Sequence, residues 1–241
     1  FKKRITRVRP GLDDKVLASW NGLMLGSVAR AGAVLKEPKY IAAAEKNVNF
    51  IQDKLWDAES KTLYHRWREG DRDQVQLLDA YSSMLDGTLH LYEATLSPKH
   101  LDFCIDLAEG MIKRFYDEKA GGFYQNGGGD TNLLMRLKED YDAAEPSGNS
   151  VASLALLKLA KITDRKDLLE KAEKTLLLFA KNMQNGPQGV PYMISALDYL
   201  LQDPHRLVVA GDASQPAGQK LLAAAHSVFQ PNKVILGTAG P

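Results

Sequence analysis

PKYIAAAEKNVNFIQDKLWDAESKTLY, residues Pro38 to Tyr64, has an echo in PKHLDFCIDLAEGMIKRFYDEKAGGFY, Pro98 to Tyr124. Three pairs recur at one offset of 60 residues: Pro38-Lys39 with Pro98-Lys99, Trp56-Asp57 with Tyr116-Asp117, and Leu63-Tyr64 with Phe123-Tyr124. Three coincidences at one offset are hard to reach by chance. A further copy follows after 67 residues, where Asp167-Leu168 matches His100-Leu101. Repeats of this length are stacked supersecondary units, none of which can bury its apolar face alone.

Each unit reads as a helical hairpin. Ile41, Ala44, Val48, Ile51 and Leu55 fall on one face at spacings of three and four. Leu101, Ile105, Ala108, Ile112 and Phe115 repeat that face, and Leu169, Ala172, Leu176, Phe179 and Met183 repeat it again. The opposite faces carry Glu, Lys and Asp, so these are outer helices with one wet side. The helices before them, in LMLGSVARAGAVL (23–35), AYSSMLDGTLHLYEA (80–94) and VASLALLKLAKI (151–162), are rich in Ala, Gly, Ser and Leu and sparse in charge. That composition suits inner helices covered on several sides. The expected fold is therefore mainly α: a partial α/α toroid of repeated helical hairpins over residues 1–203, with an open solenoid as the competitor. The linking segments TLYHRWREGDRDQVQ (62–76) and GGFYQNGGGDTNLLMRL (121–137) alternate aromatic and polar residues around Gly and Asp, as irregular β-hairpins or loops do. Near Pro204 the pattern changes to RLVVAGD, a helix-like QPAGQKLLAAAHSVF and KVILGT. Residues 204–241 are accordingly expected to form a small β-α-β appendage. GDASQPAG within it lacks the spacing of a phosphate loop.

Composition narrows the function classes. The 241 residues are 44% hydrophobic and 25% charged with a net charge of +1, the profile of a soluble globular chain. The longest basic cluster, KKRITRVR, is short, and other Lys and Arg alternate with acids, so nucleic acid is not an expected partner, and without a run of about eighteen apolar residues neither is a membrane. The single cysteine, Cys104, sits at an apolar helical position and reads as core. A cytoplasmic location is the simplest expectation, and a chain opening on Phe1 suggests a piece of something longer. No HExxH or Cys/His set suggests a metal, and no cofactor motif appears.

The repeat register also selects candidate functional residues. WNG (20–22), DAYS (79–82) and SGNS (147–150) fall near the N-terminal ends of the three inner helices, so they should share one rim. Helix N-termini offer unpaired N–H donors and a partial positive charge, which suits a site for hydroxylated ligands. Acidic candidates there are Asp13, Asp14, Asp79, Asp140, Asp142 and Glu145. Two carboxyl groups with separated pKa values are what glycoside hydrolysis requires, and Asp79, Asp142 and Glu145 are the catalytic candidates. Helix capping and solvated loops are the plain alternatives for these acids. Substrate-binding candidates are Asp13, Asp14, Trp20, Asn21, Tyr81, Arg136, Lys138, Ser147 and Asn149, with Trp20, Trp67, Tyr81 and Tyr124 as stacking surfaces. Salt bridges within the acidic loop are the alternative for Arg136 and Lys138, and Ser147 or Asn149 could simply cap a helix. A two-histidine epimerase finds no support in the register: His65 lies in a loop segment, His90 is mid-helix and His100 begins an outer helix, while His205 and His226 lie in the appendage. Ser147 has no nucleophile-elbow context.

RVRPGLDDKVLASWNGLM (7–24), LDAY (78–81), YDAAEPSGNSVASL (141–154) and PNKVIL (231–236) resemble the thioredoxin-domain-containing family typified by spermatogenesis-associated protein 20. The resemblance implies a C-terminal part of longer proteins, in which a thioredoxin-like domain precedes an α/α toroid related in shape to N-acylglucosamine 2-epimerases and six-hairpin glycosidases. It implies a carbohydrate as the small-molecule partner. The remaining N-terminal part of the parent chain, or a second copy, is the implied protein partner. Asp79-Ala80-Tyr81 departs from the family's paired acid before the tyrosine, which leaves Asp79 without an adjacent carboxylate. A scaffolding module without catalysis is the rival expectation.

Overall fold

A computed structural model describes residues 2–128 and 135–238. After a short turn of helix α1 (Lys2–Ile5) and strand β1 (Val16–Leu17), the chain runs through two complete hairpins of helices. The first is α2 (Ala18–Leu35) and α3 (Pro38–Lys54), followed by strands β2 (Trp56–Asp57), β3 (Thr62–Leu63), β4 (Arg66–Arg68) and β5 (Asp71–Arg72). The second is α4 (Leu78–Thr95) and α5 (Pro98–Phe115). The third pairs α6 (Gly148–Thr163) with α7 (Lys166–Leu178) and a short α8 (Ala180–Asn185), and α9 (Pro191–Leu201) begins a fourth. Strand β6 (His205–Ala210), helix α10 (Pro216–Ser227) and strand β7 (Lys233–Thr238) complete the described chain.

The inner helices stand side by side and run parallel. A Cβ on Gly22 would meet the carbonyl carbon of Ser83 at 2.5 Å, and one on Gly26 would meet the Cα of Gly87 at 3.3 Å, so α2 and α4 touch backbone to backbone with advancing register. α4 meets α6 in the same sense, with Gly148 against Leu78 and Asp79. Only residues without a side chain permit the first contact. Gly22→Ala is therefore expected to force α2 off α4 and to lower stability by about 1–3 kcal/mol, read as a reduced urea midpoint with an unchanged slope.

The outer helices each bury one face. Ala44, Val48, Ile51 and Leu55 are buried on the first; on the second the buried stripe is Phe103, Cys104, Leu107, Ala108, Met111 and Phe115, so the face is turned from the expected one, whose Leu101, Ile105 and Ile112 are only partly buried. The third outer helix is not continuous. Its backbone leaves helical geometry at Phe179, between α7 and α8, and both Phe179 and Met183 are buried. Each of the first three inner helices ends at a residue in left-handed geometry, Lys36, Leu96 and Asp164, so their carboxyl ends close alike. Cys104 is fully buried, and burial pushes its thiol well up from the ordinary range.

Strands β6 and β7 pair in parallel, from His205 opposite Lys233 to Ala210 opposite Thr238, with α10 as the crossover. The unit lies across the carboxyl ends of the inner helices. Ile235 N–H donates to Glu93 Oε1 (3.2 Å), Gly237 N–H to the Tyr92 hydroxyl (3.3 Å), and Arg206 pairs with Asp164 (3.0 Å). The architecture is thus mainly α, a partial α/α toroid of repeated hairpins with a small α/β appendage.

Candidate functional site

The opposite end of the inner helices is built by the linking segments. Ala18 N–H donates to the carbonyl of His65 (2.9 Å), and Leu78 N–H donates to the carbonyl of Gln125 (3.0 Å). His65 and Gln125 are one repeat apart, so the same loop position closes the first turn of α2 and of α4. Orphan amides of a helix start are thereby satisfied by a neighbouring loop instead of a side-chain cap. At α6 a side chain does this: Ser147 Oγ accepts from Ser150 N–H at 3.1 Å.

Asp79 occupies the first turn of α4 and is half-buried. Gln125 Nε2 donates to its Oδ2 at 2.5 Å. Burial raises its carboxyl above the ordinary aspartate range, and the charges of Glu139 and Glu145 push the same way; the Gln125 hydrogen bond and His65 pull against them. Glu145 is exposed at the edge of the same rim and accepts from Trp20 Nε1 at 2.8 Å, across 125 residues of sequence. The Trp20 ring is 59% exposed, so one face remains open to a ligand. His65 Nδ1 is buried and has no hydrogen-bond partner among the described residues. The helix starts thus carry two hydrogen-bonded pairs, Asp79–Gln125 and Trp20–Glu145, with the charges of Glu145 and His65 both acting on Asp79.

Most of the other sequence candidates have structural partners. Tyr81 is fully buried: its hydroxyl accepts from Leu63 N–H (2.7 Å) and donates to the Lys61 carbonyl (3.0 Å), with its ring edge-on to Phe115. Asn149 is likewise buried, bonding Phe123 N–H, the Phe123 carbonyl and the Glu139 carbonyl. Neither offers a face to a ligand. The Asp142 carboxylate accepts from the backbone N–H groups of Ser147 (2.9 Å) and Tyr192 (2.8 Å), which ties the start of α6 to the start of α9. Asn21 bonds the Leu17 carbonyl and Asn47.

The basic candidates are engaged in the same way. Arg136 donates to the carbonyls of Asn126 and Arg114 and stacks on Tyr124 at 4.0 Å. Lys138 reaches Asp117 Oδ2 at 2.8 Å and the Gly121 carbonyl, and its ammonium holds the Asp117 carboxyl well below the usual range, aided by the Ala120 amide and the Tyr124 hydroxyl. Asp13 pairs with Lys15 (3.3 Å) and Asp14 with Arg68 (2.6 Å), both at the exposed lead-in to α2. Asp140 accepts from Asn182. Trp67 packs edge-on to Phe50. Among the candidates, Trp20 and Glu145 are hydrogen-bonded to each other and the Glu145 charge acts on Asp79, whereas most of the others hold contacts within the fold.

His65, Gln125 and Glu139 were not among the candidates. A signal for the first two was present in the repeat itself, since each follows a recurring pair, Leu63-Tyr64 or Phe123-Tyr124. No group of three or more His, Cys, Asp or Glu side chains among the described residues could hold a metal ion. No helix among them is long and apolar enough to cross a membrane.

Hairpins in this arrangement define the class: the chain is part of an α/α toroid. It superposes on cellobiose 2-epimerase from Bacillus thermoamylovorans with a TM-score of 0.58 at 15% identity, over 68% of this chain and 44% of that one. It superposes on a GH76 α-mannanase from Bacteroides thetaiotaomicron with a TM-score of 0.62 at 16% identity, over 90% and 59%. Identities this low establish shape alone. By sequence the chain is a relative of the spermatogenesis-associated protein 20 family: it is 34% identical to the human protein over 248 residues, covering 98% of this chain. It spans about a third of that curated relative, 31% of its length. No family model matches the chain.

Proposed function

We propose that the rim at the inner-helix starts is a carbohydrate site and that Asp79 is its proton-donating carboxyl group. The observation carrying this reading is the environment of Asp79. A half-buried carboxyl, raised by burial and by two neighbouring acids, keeps its proton to higher pH than a surface aspartate does. Glycoside hydrolysis needs such an acid to protonate the leaving oxygen and a second carboxyl group facing the sugar, the role assigned here to Glu145. Trp20, hydrogen-bonded to Glu145, supplies a flat apolar face for a sugar ring and fixes the second carboxyl group beside it. His65 favours a second chemistry. A buried imidazole nitrogen without a partner, on a residue whose charge acts on Asp79, and a carboxyl raised by burial are groups of the kind that move a proton to and from carbon in a sugar isomerase or epimerase.

Toroids of the same shape that act on sugars support a carbohydrate substrate, in that the named neighbours are a cellobiose epimerase and an α-mannanase. Titration of gluco- and manno-configured mono- and disaccharides tests the site through tryptophan emission. Trp56 is buried and Trp67 is packed on Phe50, so Trp20 is the exposed reporter. A saturable change in emission is expected, absent in Trp20→Ala and weakened in Asp79→Asn. Emission that no sugar alters, or that changes equally in Trp20→Ala, rules the site out.

A further inference from the structure

We propose that the β6–α10–β7 appendage is held on the inner helices by an acid-sensitive latch, in which neutral His226 pins it to the carboxyl end of α4 and protonation of that ring loosens it. This inference does not depend on the sugar site.

The contact is made at a helix end, where the last carbonyls lack intrahelical donors. Leu96 N–H serves the carbonyl of Tyr92, and His226, in the last turn of α10, donates from Nε2 to the carbonyl of Glu93 at 2.9 Å. A carbonyl can only accept, so Nε2 carries the proton of the neutral ring. A second proton leaves that donor in place and adds a charge in a half-buried position.

The surroundings answer that charge poorly. Lys233 of β7 already seats a cation there, donating from Nζ to the carbonyls of Ala225 (2.6 Å) and Val228 (2.8 Å). The Glu93 carboxylate is engaged elsewhere: Oε1 accepts from Ile235 N–H, Oε2 lies 3.5 Å from His90 Nδ1, and Lys158 of α6 adds its charge. Tyr199 of α9 faces the same carboxylate. α2, which α10 also touches, carries Arg30 and ends at Lys36, and β6 carries His205 and Arg206, the latter paired with Asp164. Burial accordingly lowers the His226 ring from the ordinary histidine range, against the pull of the Glu93 carbonyl and carboxylate and with Lys233 and His90 pushing the same way as burial. A ring lowered in the docked form takes its proton more readily once released. Docking is therefore weakened as pH falls below the ordinary histidine value, and the loss is complete below the docked one. Burial pushes the Glu93 carboxyl up, but His90, Lys158 and the Ile235 amide outweigh it and keep it below the ordinary range, so Glu93 stays ionised through that window. Val234 and Ile235 are buried under the appendage, so acid shifts a docking equilibrium and does not free the unit outright.

Amide exchange reads the latch. Ile235 and Gly237 N–H groups donate across to Glu93 and Tyr92 of α4, so their protection reports docking, while Leu89 inside α4 reports global unfolding. Protection factors, corrected for intrinsic exchange, are compared in the full chain at about pH 7.5 and about pH 5.5. Ile235 and Gly237 should lose about fivefold or more in acid, with Leu89 unchanged. His226→Gln keeps a donor and cannot take up a proton, so its protection should be the same at both pH values. In the wild type the His226 Cε1 proton should titrate below the range of a surface histidine. Protection of Ile235 and Gly237 that acid leaves unchanged, or an equal loss at Leu89, overturns the proposal. An equal acid loss in His226→Gln assigns the response to His90 and overturns it too. If His226→Gln does not dock at neutral pH, the wild-type ring titration decides, and a value at or above the surface range overturns the latch.

Discussion

Asn149→Ala is expected to unfold at a far lower urea concentration than the wild type, with a loss on the order of 3–5 kcal/mol. Its side chain is fully buried and holds three backbone groups: the amide and carbonyl of Phe123 and the carbonyl of Glu139. Alanine leaves the Phe123 amide and carbonyl without a partner in a buried space, where each bears its full desolvation cost, while the Glu139 carbonyl, on an exposed residue, can turn to water. The segment containing Phe123 links the second outer helix to the third inner one, so the loss would be cooperative across both. A ligand-binding asparagine would behave otherwise, with weakened affinity and an unchanged unfolding midpoint. Equilibrium unfolding followed by circular dichroism separates the two roles.

Asp79→Asn is expected to act in opposite directions on stability and on turnover. The carboxyl is raised in the fold relative to the unfolded chain, chiefly by burial. The folded state therefore holds this proton more tightly than the unfolded state. Its contribution to stability is complete below the ordinary aspartate pKa and is lost as pH rises through the folded value. Asparagine keeps the shape, can still pair with Gln125 and never ionises. The variant should be more stable than the wild type near pH 7, and the advantage should vanish in acid. On the proposed carbohydrate reaction the same change removes the proton donor, with a fall of about 10²–10⁴-fold in kcat. Thermal melts at several pH values check the first effect even before a substrate is known. A variant less stable than the wild type at neutral pH would show that Asp79 serves the scaffold as a carboxylate.

The hairpin architecture was legible because periodicity and a repeat offset are properties of the chain alone. The apolar faces at Val48, Ile51 and Leu55, and at Ala108 and Phe115, follow from helical spacing without any tertiary knowledge. The break at Phe179 was not legible, since no Pro or Gly marks the place. At the rim, the register correctly gathered WNG, DAYS and SGNS at helix starts, yet it could not say which side chains turn inward. Tyr81 and Asn149 look like ligand contacts in sequence because polar residues near a helix start serve binding and capping alike. Their partners, Lys61, Leu63, Phe123 and Glu139, come from other segments of the chain. His65 was passed over because a search for two histidines on one rim discards a single one.

Strands β6 and β7 with α10 sit where the inner helices end, stapled there through Glu93, Tyr92 and Asp164. The appendage therefore lies at the end of the inner helices away from Asp79, so a change in it can reach the rim only along the length of those helices.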